Sequence, residues 1–108
     1  MDKQRKPPAY LTSKARRWFR AVAGEYVFQH EPEWALLEMA AATLDRIDQA
    51  RKAIADHGLI VPTGQGDVKP NPAANLERDN KILLCRIMRE LRLADPADES
   101  RIPRIGGY

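Results

Sequence analysis

Three stretches of the chain repeat apolar residues at helical spacing. In "LTSKARRWFRAVAGEYVF", Ala15, Trp18, Phe19, Val22 and Tyr26 fall on one face when each residue turns by about 100°. Thr12 or Ser13 precedes this run and suits the cap position, where a side-chain oxygen accepts a bond from a first-turn N–H. The aromatic and β-branched residues after Gly24 predict a helix end near Tyr26. The second stretch starts at Pro32, a residue that fits the first helical position, with Glu31 and Glu33 beside it to suit the helix dipole. Its apolar stripe is Leu36, Leu37, Ala40, Leu44, Ile47 and Ile54, and Gly58 is a C-terminal stop. A helix from Pro32 to His57 is about 39 Å long at 1.5 Å per residue, which is long for so short a chain and predicts an elongated helical hairpin. In the third stretch Leu76, Leu83, Leu84, Ile87, Met88 and Leu91 share an arc, after Asn71 as cap and Pro72 as first helical residue, and the helix is expected to stop before Pro96.

Between the last two helices the pattern changes. "LIVP" is apolar and β-branched, "TGQGD" is turn chemistry, and "VKP" can run back as a second short strand whose prolines confine it to an edge. The expected fold class is therefore mainly all-α. It is a helical hairpin of two long helices plus a shorter N-terminal helix, with a small β-hairpin between the long helices. The expected organisation is a flexible basic arm over residues 1–8, a helical oligomerisation and DNA-recognition domain over 9–95, and a tail over 96–108.

Composition narrows the class. The chain has 108 residues, 44% hydrophobic and 31% charged, which fits one small globular domain. Its net charge of +3 permits nucleic-acid binding without demanding it. One cysteine, Cys85, cannot form an internal disulfide and suggests a reducing compartment. "MDKQRKPPAY" has no apolar run after its charges, and no stretch approaches the ~18 apolar residues of a membrane span, so a soluble intracellular protein is expected.

Little in the chain suggests catalysis. His30 and His57 flank the long helix, too far apart to share a site within one subunit, and with one cysteine they do not make a zinc site by spacing. The stretch "GLIVPTGQGDVKPNPAANLERDNK" has the glycines of a phosphate loop but not its logic. Asp67 follows Gly66, no Lys-Ser or Lys-Thr follows, and the G-x-G-x-x-G pattern fails. No catalytic residue, metal site or cofactor is expected. The basic residues offer more. Arg16, Arg17 and Arg20 share a helix face, Lys14 lies near it, and Lys3, Arg5 and Lys6 precede it, which makes a candidate phosphate-contacting surface. Arg51 and Asn80 interrupt apolar stripes, either satisfied locally or contacting another subunit. With Trp34, Arg86 and Arg89 they are candidate oligomer-interface residues.

The order of motifs "PPAYLTSKARRWF", "GLIVPTGQGDVKPNPAANLERDNK" and "LRLADPADESRIPRI" resembles the small subunits of bacteriophage terminases, from Pro7 to Ile105. The third helix ends "LRL" where that family often has "LGL". The resemblance implies a non-enzymatic, ring-forming homo-oligomer in the host cytoplasm. It would bind double-stranded viral DNA and hand it to the large terminase subunit, which carries the ATPase and nuclease. Two other classes fit the residues: a small helical DNA-binding transcriptional regulator, and a protein-only oligomeric adaptor.

Overall fold

The computed structural model describes residues 5–93. The first four residues and the tail from 94 onward, including Lys3 and the expected tail segment, lie outside the described residues. The order of elements is α1 (Ser13–Glu25), α2 (Glu31–His57), β1 (Ile60–Pro62), β2 (Val68–Pro70) and α3 (Pro72–Glu90). The fold is mainly helical, with α2 and α3 turning back on each other through the two-stranded hairpin.

Each boundary has a local cause. Thr12 caps α1 by accepting from the Ala15 N–H at 3.2 Å. The Glu33 carboxylate folds back over the start of α2 and accepts from the backbone N–H groups of Gln29 and His30 at 3.0 and 3.2 Å. The helix begins at Glu31, one residue before the expected Pro32, because His30 already sits in the extended cap conformation. Asn71 caps α3 by accepting from the Ala73 N–H at 3.0 Å, with Pro72 in the first turn. α3 ends at Glu90, with Leu91 as its cap residue.

The strands pair antiparallel, Ile60 with Pro70, Val61 with Lys69 and Pro62 with Val68. Gly64 and Gly66 make the turn at φ +87°, a region that other residues avoid. The Thr63 hydroxyl fastens it, donating to the Asp67 carbonyl and accepting from the Gln65 N–H. Asn71 ties hairpin and helices together. Its N–H donates to the Leu59 carbonyl at 2.7 Å and its amide to the Gly58 carbonyl at 2.8 Å, so one buried side chain serves the end of α2 and the start of α3.

α1 runs antiparallel along the N-terminal part of α2. Leu11, Phe19, Val22 and Phe28 pack there with Leu37, Ala40 and Ala41 of α2 and Ile87 and Leu91 of α3. The expected stripes hold in part. Leu37, Ala40 and Ile47 are buried, while Leu36, Leu44 and Ile54 are half-buried. The α3 arc is wider than its neighbours cover: Ile87 and Leu91 are buried, but Leu76 is 55% exposed and Leu83 37%.

Candidate nucleic-acid interface

The cationic face of α1 is held in place by two carboxylates of α2. Asp45 is buried, and both its oxygens accept from Thr12, one from the backbone N–H at 2.9 Å and one from the hydroxyl at 2.5 Å. One turn further along, Asp48 pairs with Lys14 at 2.9 Å. These contacts fix the start of α1 on α2 and set where its arginines project. Asp45 lies outside the apolar stripe read from the sequence, and with Arg46 beside it and Asp48 one turn on, nothing in the local pattern marks it as buried.

The seven cations read as phosphate contacts divide into groups. Arg17, Arg20 and Lys6 are exposed and have no ion-pair partner among the described residues. Arg16 bonds locally, to the Ala9 carbonyl at 3.5 Å and the Ser13 hydroxyl at 3.4 Å. Lys14 is committed to Asp48. Arg5 forms a two-pronged pair with Glu31 and lies over the Trp34 ring, 5.1 Å from its centroid. This hydrogen-bonded pairing holds the Glu31 carboxyl below the usual carboxylate range. Lys3 lies outside the described residues.

The oligomer-interface candidates are also separated. Trp34 packs within the subunit, against Phe19 at 6.1 Å and edge-on to Phe28 at 5.1 Å. Arg51 bonds Glu77 of α3 at 2.8 Å and approaches Asp48 at 3.9 Å, so it braces the α2–α3 seam. Hydrogen bonding from Arg51, supported by Lys81, holds the Glu77 carboxyl below the usual range. Asn80 donates to the Leu76 carbonyl of its own helix at 2.7 Å. Arg86 and Arg89 alone of this set are exposed with no ion-pair partner among the described residues.

The remaining candidate chemistry is dispersed. His30 caps α2 and His57 sits in its last turn, about 40 Å apart along the helix. Cys85 is exposed, not packed. Among the described residues no three His, Cys, Asp or Glu side chains gather as a metal site, and no helix is long and apolar enough to cross a membrane. At the glycine turn the Thr63 hydroxyl and the backbone groups of Thr63 and Asp67 are engaged in closing the hairpin. The chain matches no protein-family model, no curated protein and no solved structure.

Proposed function

We propose that this chain is a non-enzymatic, self-assembling DNA-binding subunit of the phage terminase small-subunit type. In this reading it binds double-stranded viral DNA and presents it to a large ATPase and nuclease subunit in the host cytoplasm. The observation that carries the nucleic-acid part is the pair of uncommitted arginines on α1. Arg17 and Arg20 project from a helix whose start is clamped to α2, with Lys6 exposed nearby in sequence. Rigidly presented cations of this kind bind phosphates regardless of base sequence and release counterions as they do so.

Self-assembly is supported by surface that one subunit leaves uncovered. Met39 on α2, Ile82 and Leu83 on α3 and Ile60 and Val68 on the hairpin are all exposed. With Trp34, Arg51 and Asn80 engaged inside the subunit, the subunit contacts fall to these apolar residues. The order of motifs along the chain supplies the packaging context.

Titrating a labelled duplex with the wild-type chain and with an Arg17→Glu/Arg20→Glu variant tests the DNA reading. Affinity is expected to fall about tenfold or more in the variant, and binding by the wild type is expected to weaken steeply with salt. Equal affinity in the two proteins would remove α1 from the interface. Light scattering at high micromolar concentration tests assembly, and a clean monomer counts against it. Two-fold symmetric protection of a short operator would favour the regulator instead.

A further inference from the structure

The end of α3 holds an arginine in a conformation that arginine disfavours. Arg92 has φ +60°, the one non-glycine residue with positive φ among the described residues. The turn is well made around it: Leu93 N–H donates to the Met88 carbonyl at 2.9 Å, and Arg92 N–H to the Arg89 carbonyl at 2.9 Å. This is the left-handed helix stop that glycine or asparagine usually supplies, and a side chain there costs stability. The helix dipole does not require it, because Arg89 already places a cation in the last turn.

Arg92 has cationic company. Arg86 and Arg89 are exposed while Ile87 and Leu91 beside them are buried, so the guanidinium groups lie on the face turned away from the core. None of the three arginines has an ion-pair partner among the described residues. Lys81, Ile82, Cys85, Arg86 and Arg89 border an open cavity of about 340 Å³ on the same helix. The strip from Lys81 to Arg92 is about 16 Å long at 1.5 Å per residue.

We propose that the outer face of the C-terminal half of α3, with Arg86 and Arg89, together with Arg92 in the turn that follows the helix, is a second contact surface for the phosphate backbone of duplex DNA. The proposal rests on the nucleic-acid reading above and assigns it a surface apart from the α1 cations. A duplex carries one phosphate per about 1.7 Å of axis, so a cationic strip of this length meets several. An acidic protein is a poorer fit. The centre of a protein–protein interface is depleted of charge and anchored by apolar or aromatic groups, whereas the cavity on this strip is bordered by Lys81, Arg86 and Arg89 against Ile82 and Cys85. Stability given up at Arg92 is what a residue retained for binding would show.

The test titrates a short labelled duplex, at several salt concentrations, with wild type, Arg86→Gln/Arg89→Gln and Arg92→Gly. The double variant is expected to bind about tenfold more weakly, with the slope of log affinity against log salt reduced by about two. Arg92→Gly is expected to melt a few degrees higher and yet bind about threefold more weakly, a combination that a purely structural arginine would not produce. Wild-type binding with both variants unchanged overturns this surface and leaves the α1 interface standing. Loss of polyglutamate binding in the double variant, with duplex affinity intact, would assign the face to an acidic protein and overturn the proposal. No duplex binding by the wild type would overturn both this inference and the reading it rests on.

Discussion

The two ends of the α2–α3 hairpin are built on different physics. At the α1 end, three helices enclose Phe19, Leu37, Ile87 and Leu91, and burial of large apolar side chains supplies the stability. At the β end there is no third helix. The buried side chains toward that end are Ile47, Ala50, Ala73 and Asn71, and an open cleft of about 220 Å³ lies between Ala50, Ala53 and Leu76. Directional bonds do the holding there: Asn71 to Gly58, Leu59 and Ala73, and Arg51 to Glu77. Leu59, Ile60 and Val68 remain more than 60% exposed. One end is thus complete within this chain, while the other keeps its geometry and leaves its apolar surface bare.

The sharpest way to break this contrast is Phe19→Ala. Phe19 is 1% exposed and packs on Trp34, so its loss leaves a cavity and is expected to cost about 3–5 kcal/mol in urea unfolding. That is a large share of the 5–15 kcal/mol typical of a domain. A cost below about 1 kcal/mol would show that the α1 end is not the stabilising end. Next comes Asn71→Ala, which removes a helix cap together with the bond to Gly58. Its expected cost is about 1–2 kcal/mol. Hydrogen exchange should report it as faster opening of the hairpin amides, with those of α1 little changed. Equal loss of protection at both ends would mean that they unfold as one unit.

The same contrast explains what could be read from the sequence. Element types, the Asn71 cap, the α1 cap to within Thr12 or Ser13 and the hairpin turn were legible because each is a local rule that local residues satisfy. Partners across the chain were not. Asp45 meets Thr12 and Trp34 meets Phe19 because α1 runs antiparallel on α2, and periodicity does not encode that direction. Trp34 was expected at an oligomer interface, and its place against Phe19 depends on Phe28 returning over it from the preceding loop. Arg92 was visible only as a departure from "LGL"; its left-handed backbone is set by how α3 ends.

A smaller effect is expected at the seam between the ends. The Glu77 carboxyl is held below its usual range by Arg51 and Lys81, so its folded-state pKa lies under its unfolded value. The contribution is therefore fully present above that unfolded value and is lost as pH falls through the folded pKa. Glu77→Gln should lower the melting temperature slightly at neutral pH and merge with wild type in acid. A deficit that persists unchanged at acid pH would assign the effect to packing instead of charge.

The smallest expected effect in a lone subunit is Ile60→Thr/Val68→Thr. Both positions are open to water, threonine keeps the β-branched shape that strands favour, and hairpin pairing uses only backbone groups. In dilute solution the change in unfolding free energy should stay within about 0.5 kcal/mol. Concentration is what sharpens the test. If other copies cover this face on assembly, the variant should dissociate at a higher concentration than wild type and lose more thermal stability in concentrated than in dilute solution, because association stabilises by mass action. Identical behaviour at both concentrations would mean that no second copy covers the β end, and would leave the exposed flank of Met39, Ile82 and Leu83 as the surface for the proposed assembly.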